Sequence, residues 1–256
     1  VAKKKLQKPP LPLNALNEQI PVHEPNHQIL SRGPSDGELA QATWIGHSTV
    51  FVQIHGLNVL TDPVWSERVP MVVGPKRIRR PPVSIEHLPG VDIVVISHNH
   101  YDHLDLPSVR EIEARFHPMW LVPMGLAGWF RSTGVSKCQE LEWWEHWSSE
   151  TCPAVFHFVP AQHWSMRNGF DMYSSLWGGW VIISKEVIPA STTAVASTST
   201  TTPTAVATRP QVRIFFAGDT GIVPVLTEIG ERLGPFDLSL IPIGPVEPRE
   251  QLAPQH

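Results

Sequence analysis

The chain is poor in cysteine: Cys138 and Cys152 are the two in 256 residues, and their spacing matches no metal or redox motif of the C-x-x-C kind. Such usage points to a reducing compartment with both thiols free, although one disulfide between them stays open. There is no run of about 20 apolar residues, so no segment reads as a membrane-spanning helix. A signal-peptide pattern is absent as well. The sequence nevertheless starts at Val1 rather than Met, which leaves an upstream targeting segment open. Excess positive charge is also missing, since 20 Lys and Arg against 24 Asp and Glu give a net charge of -4. That balance argues against a general nucleic-acid binder, which needs a strongly basic face.

What is present is enough apolar material for a core. The length of 256 residues suits one large α/β domain or two small ones, and the 41% of hydrophobic residues suffices for a substantial core and speaks against disorder throughout. Residues 1–39 are the exception. They are rich in Pro and polar side chains, open with the basic Lys3-Lys4-Lys5 and read as an extended, partly disordered arm. The basic cluster is either a solvated tail or an attraction for an anionic lipid surface. An ordered domain is expected over 40–256. Within it, Val50 to Ile54 and Asn58 to Thr61 alternate about Gly56 as a β-hairpin. Ala154 to Val159, Leu176 to Ile183, Val212 to Phe216 and Leu238 to Ile243 read as further strands, the last of them buried, and Val223 to Leu233 as a helix. Gly178-Gly179 inside a strand predicts the close approach of another backbone. A Ser/Thr-rich tract from 184 to 211 has no periodic apolar face and reads as a flexible surface insert.

Two segments carry unusual side chains with two readings each. Gly74 to Pro82 holds Lys76, Arg77, Arg79 and Arg80, which form either a solvated charge run or guanidinium forks for a phosphate. Between Trp120 and Trp147 five of the ten Trp residues cluster. They belong either to a core or to a face that enters lipid head groups.

Chemistry concentrates in Ser97-His98-Asn99-His100-Tyr101-Asp102-His103-Leu104-Asp105, directly after the apolar run Ile93 to Ile96, which reads as a buried strand. Four imidazole and carboxylate side chains crowd together at a strand end, where the backbone can splay them. Such a set serves a core poorly and suits zinc or a similar transition metal. Ligands at this density can serve two ions about 3.5 to 4 Å apart. The competing reading is a polar surface loop that happens to hold three His. Asp105 then caps a helix with Pro107 in its first turn and Val109, Ile112 and Phe116 on its apolar side.

His-x-His-x-Asp-His after a hydrophobic strand resembles the signature of the metallo-β-lactamase superfamily. Around it stand Thr43-Trp44-Ile45-Gly46-His47-Ser48-Thr49, Thr61-Asp62-Pro63, Gly74-Pro75-Lys76-Arg77, Pro160-Ala161-Gln162-His163-Trp164, Ala217-Gly218-Asp219-Thr220-Gly221 and Glu247-Pro248-Arg249. Their order resembles that of one branch, the phospholipase D that hydrolyses N-acyl-phosphatidylethanolamine. The resemblance implies a metallo-β-lactamase-like four-layer αββα sandwich, in which two sheets face each other. It implies two zinc ions, one held by His98, His100 and His163 and the other by Asp102 and His103, with Asp219 bridging both. Asp62 would orient a ligand His by accepting its free ring N–H, although an Asp before Pro63 also suits a plain turn. His47 is expected as a hydrogen-bonded core His below the metals. The family's last ligand to the second ion is a His from a later segment, which no residue here matches; His256 matches a His that precedes it. The chain therefore reads as truncated at its C-terminus, or as a site short of one ligand.

The implied chemistry is attack on the phosphorus of a phosphodiester by a hydroxide that two cations sharing a water make available near neutral pH. Asp102 and Asp219 would act as the catalytic carboxylates through the metals they hold. The implied products are an N-acylethanolamine and phosphatidic acid. The implied partners are a phospholipid and a membrane surface, visited by an intracellular peripheral protein, with homodimers common in the family. The alternatives are a soluble hydrolase of the same fold acting on a lactone or another phosphodiester, and a metal-binding protein without turnover.

Overall fold

The computed structural model describes residues 12–35, 38–70, 74–185 and 211–244. The start of the arm, most of the Ser/Thr-rich insert, Glu247-Pro248-Arg249 and His256 lie outside the described residues. In chain order, helices α1 (Leu13–Gln19) and α2 (His27–Arg32) precede strands β1 (Ala40–Gly46), β2 (Thr49–Ile54), β3 (Leu57–Thr61) and β4 (Ile93–Val95). Next come α3 (Leu106–Phe116), β5 (Met119–Pro123), α4 (Ala127–Ser132), β6 (Cys138–Leu141) and β7 (His146–Trp147). Last are β8 (Ala154–Pro160), β9 (Gly178–Ser184), β10 (Arg213–Phe216), α5 (Val225–Leu233) and β11 (Leu238–Leu240).

The strands form two sheets, ordered β1-β2-β3-β4-β5-β6 and β11-β10-β9-β8-β7. Three apolar clusters define how they stack. Val52, Ile54, Val59 and Val95 of the first sheet share one buried cluster with Phe156, Phe158, Trp180 and Ile214 of the second. On the first sheet's other face, Phe51, Leu60, Val94 and Trp120 pack with Leu30 of α2, Val109 and Ile112 of α3 and Phe130 of α4. On the second sheet's other face, Val181 and Phe215 meet Ile229 of α5. The two-residue period of a strand makes this division: Phe51 and Leu60 face helices while their neighbours Val52 and Val59 face the other sheet. The layers are therefore helix, sheet, sheet and helix, the αββα sandwich expected from the sequence.

Several hydrogen bonds fix the edge where the functional residues gather. β3 and β4 run parallel with Thr61 beside Val95, so both strands deliver their following loops to the same end. The second sheet is tied to that end across the core. Trp180 Nε1, on a fully buried ring, donates to Ile96 O at 2.8 Å, and Gly178 N donates to Ser97 O at 3.0 Å. The close approach expected at Gly178 is present, since a Cβ there would lie 2.2 Å from Val159 O.

Some other expectations are corrected and others hold. Where composition suggests an extended arm, residues 13–19 and 27–32 are helical. Asn26 Oδ1 caps α2 by accepting from Gln28 N at 2.9 Å and Ile29 N at 3.2 Å, and Leu30 is buried against the first sheet. The five Trp between 120 and 147 turn inward. Trp120 is fully buried, and Trp129, Trp143, Trp144 and Trp147 pack partly buried against the core clusters, because β5, α4, β6 and β7 hold that segment to the sheets. Asp105 stands at the N-cap of α3, but its carboxylate accepts from Ser66 and Ser108 side chains rather than from helix amides. The strand expected through Ile243 stops at Leu240, and Ile241 and Ile243 are exposed; among the described residues β11 is paired on one side alone. Cys138 and Cys152 are free thiols.

Candidate metal centre

The loop after β4 owes its shape to the groups around it. His103 N and Leu104 N both donate to His100 O, at 3.1 and 2.9 Å, closing a tight turn. Arg167 Nη1 braces the turn by donating to Asn99 O at 3.1 Å and Leu104 O at 2.7 Å. Its guanidinium also stacks over the Tyr101 and Trp129 rings, at 4.4 and 5.0 Å. No sequence signal singled out Arg167, because its partners are carbonyls of a distant loop. Gly218 brings the turn after β10 onto this loop. Its φ is +62°, and a Cβ there would lie 2.7 Å from Ser97 Cβ, so glycine is what lets Asp219 reach His103.

Three ring nitrogens converge at the centre. His98 Nε2 and His100 Nδ1 are 2.9 Å apart, and each is 3.1 Å from His163 Nε2. A neutral imidazole offers one N–H and one lone pair. Three such nitrogens facing one another cannot all be satisfied by hydrogen bonds, whereas a cation among them accepts every lone pair. Burial, helped by the neighbouring imidazoles, keeps His98 well below the usual imidazole range, and burial likewise lowers His100 to about 4. Both rings are therefore neutral, the state that metal ligation requires.

A second group joins His47, Asp102 and His103. His47 Nε2 lies 3.3 Å from Asp102 Oδ2. Asp219 Oδ2 lies 3.3 Å from His103 Nε2 and 3.9 Å from His163 Nε2, between the two groups, where one carboxylate can serve both. Burial opposes the ionisation of Asp102 and Asp219. The His47 hydrogen bond and the His103 charge nonetheless hold Asp102 well below the usual carboxylate range, and the His103 charge does the same for Asp219. His103 is the opposite case. Burial disfavours its charged form, but carboxylates on both sides of the ring, Asp219 and Asp62, raise it well above the usual range. Its Nε2 proton stands where a cation would.

Asp62 also lies within ligand reach of His98 and His103, yet its fully buried carboxylate is already committed. Oδ1 accepts from Ser97 N at 2.7 Å; Oδ2 accepts from Ser97 Oγ at 2.5 Å and from His103 Nδ1 at 2.7 Å. Ser97 Oγ donates to Asp62 and so accepts from His98 Nδ1, 2.9 Å away. One carboxylate thereby orients two rings, His103 directly and His98 through Ser97, and turns both Nε2 atoms inward. The cost of burial raises Asp62 despite these bonds.

His47 departs from the sequence reading. It was expected in the core, but the β1–β2 turn holds it at a φ of 52° with its side chain 45% exposed at the mouth of the site. A Gly-His turn carries no periodic signal, and its partner Asp102 is remote in sequence. Nearby, Phe170 on the Arg167 loop is fully exposed, and so, nearly, is Ile222 just beyond Asp219.

The chain matches the beta-lactamase superfamily domain over residues 57–188 and 185–256. It is 38% identical over 229 residues to the N-acyl-phosphatidylethanolamine-hydrolyzing phospholipase D 1 of Caenorhabditis elegans, covering 84% of this chain and 56% of that protein. The mitochondrial N-acyl-phosphatidylethanolamine-hydrolyzing phospholipase D of Saccharomyces cerevisiae is 34% identical over 219 residues, 84% of this chain and 42% of that protein. This chain spans about half the length of these curated relatives. Among solved structures, the metallo hydrolase Igni18 of Ignicoccus hospitalis shares the fold, with a TM-score of 0.54 at 20% identity over 80% of this chain and 70% of that one. No helix among the described residues is long and apolar enough to cross a membrane.

Proposed function

The chain belongs to the β-lactamase superfamily, and from that premise we propose that it is a metal-dependent hydrolase, a zinc-dependent phospholipase D. The proposed reaction cleaves N-acyl-phosphatidylethanolamine to N-acylethanolamine and phosphatidic acid at a membrane surface. The observation that carries this reading is the triangle of His98, His100 and His163 nitrogens beside Asp219, a donor set suited to zinc. The choice of substrate is supported by the identity with two phospholipases that bear it in their names.

In this reading His98, His100 and His163 would hold one ion and Asp102 and His103 the other, with Asp219 within reach of both groups. When bound, the ions supply Lewis acidity toward the phosphoryl oxygens and an activated water. The rest falls to the chain itself. Asp62 and Ser97 keep the ligand rings in one tautomer, and Arg167 keeps the loop that carries them from shifting. The exposed side chains of Phe170 and Ile222, which follow Arg167 and Asp219 closely in sequence, would offer apolar contacts to a lipid surface.

The test is hydrolysis of N-acyl-phosphatidylethanolamine in mixed micelles, with both products followed by mass spectrometry. Release of both, abolished by a chelator and restored by zinc, is expected. Turnover of a water-soluble lactone or phosphodiester, with the lipid untouched, would replace the phospholipase reading by that of a soluble hydrolase.

A further inference from the structure

A cavity of about 660 Å³ opens beside His47 and Asp102. Much of its wall is apolar, formed by Trp44, Ile45, Val64 and Ile78, but the cationic loop after Gly74 also faces it. The charges of that loop are not equivalent. Lys76 and Arg80 are matched by Glu67, at 3.2 and 2.6 Å. Arg77 is half-buried, donates from Nη1 to Val64 O at 2.9 Å and has a buried Nε without a partner. Among the described carboxylates none forms an ion pair with it. Asp105, whose charge it feels, is bound to Ser66 and Ser108. Arg77 N donates to Glu67 O at 2.8 Å, which fixes the backbone. Gly46 makes room for the side chain, because a Cβ there would lie 3.0 Å from Arg77 Nη2. Burial disfavours the charged guanidinium, Asp105 offsets this only without a direct ion pair, and an anion accepting from the remaining N–H donors would complete it.

We propose that this cavity binds an anionic phospholipid, with the phosphate on the Arg77 guanidinium and an acyl chain along Trp44 and Ile78. The inference rests on the phospholipid reading of the adjoining metal centre and adds to it a recognition residue. The planar fork of Arg77 matches phosphate oxygens two at a time. Trp44 and Ile78 are 69% and 62% exposed, so the apolar wall is open to a chain entering from outside. Asp102 and His47 line the same cavity, which keeps the bound phosphate beside the metal ligands.

Calorimetric titration of the metal-loaded protein tests this, with dihexanoyl phosphatidic acid, inorganic phosphate and dihexanoylglycerol as the three probes. The phosphatidic acid is expected to bind at least about tenfold more tightly than either of the others, and Arg77→Gln to weaken it at least about tenfold. Arg77→Lys, which keeps the charge and loses the fork, should fall between. It alone decides the matter if Arg77→Gln does not fold, and undiminished affinity would then overturn the site. Equal affinity in wild type and Arg77→Gln overturns it too, as does inorganic phosphate binding as tightly as the lipid. Turnover of N-acyl-phosphatidylethanolamine in mixed micelles by the same protein preparations separates this inference from the proposed activity. Lipid binding that depends on Arg77 without hydrolysis sustains the site and removes the phospholipase reading, while hydrolysis with binding indifferent to Arg77 does the reverse.

Discussion

Replacing Asp62 by Asn changes protons without changing volume, in a side chain that is fully buried. The atom taking the place of Oδ2 is an amide nitrogen with two N–H groups. It faces Ser97 Oγ and His103 Nδ1, which approach the native oxygen at 2.5 and 2.7 Å. Both former donors must become acceptors. His103 then carries its proton on Nε2, pointing at the metal. Ser97 Oγ turns its proton to His98 Nδ1, 2.9 Å away, and His98 also carries its proton on Nε2. Flipping the amide offers no escape, since it sets an N–H₂ against Ser97 N, now the donor to Oδ1 at 2.7 Å. One substitution therefore reverses a ligand in each half of the site. Loss of an orienting partner lowers metal affinity by about 10- to 100-fold, or about 1.4 to 2.7 kcal/mol for each ion. Competition with a chromophoric zinc chelator measures this directly. Ser97→Ala separates the two arms: it removes the partner of His98, leaves the Asp62–His103 bond in place, and should weaken one ion alone. Undiminished affinity of Asp62→Asn for both ions would refute the relay.

Gly218→Ala places a Cβ 2.7 Å from Ser97 Cβ and 2.9 Å from Gly178 O at a φ of +62°. It should cost about 1 to 3 kcal/mol in chemical denaturation and lower zinc content by moving Asp219 from His103. Trp180→Phe leaves Ile96 O without its 2.8 Å donor inside the core; a loss of about 1 to 3 kcal/mol in urea unfolding is expected, and an unchanged midpoint would show that the bond between the sheets contributes nothing. The metal-free protein should lose stability as pH falls from 6.5 toward 4, because His100, lowered from 6.5 to about 4, takes up its proton first in the unfolded chain. His98, lowered as well, acts in the same direction, whereas the raised His103 stabilises below 6.5 and loses that contribution as pH rises. Thermal midpoints across this range, with chelator present, check the slope; a profile that rises toward pH 4 would contradict it.

The candidate ligands packed into one loop were legible from sequence, because His98, His100, Asp102 and His103 need no tertiary information to be seen together. His163 and Asp219 gained meaning from their order along the chain, and the structure brings both within ligand distances of that loop. Strands with alternating or unbroken β-branched runs were also readable, and they place the two sheets. What escaped depends on contacts across the fold. His47 sits in a turn whose partner is far away in sequence, and Arg77 is distinguished from Lys76 and Arg80 by burial and by the reach of Glu67 alone. The Trp cluster was ambiguous for a related reason: aromatic content does not say which side of a sheet it covers, and β5, β6 and β7 decide that. The helices at 13–19 and 27–32 rest on a cap and a buried Leu that a Pro-rich composition conceals.

The metal content of the purified and desalted chain, by elemental analysis, bears most directly on a two-metal site. Two equivalents of zinc are expected, with one lost in His163→Ala and a further loss in Asp219→Ala. A chain without bound metal, or one whose content is unchanged when His98, His100 and His163 are removed together, would contradict the metal centre on which the proposed reaction depends.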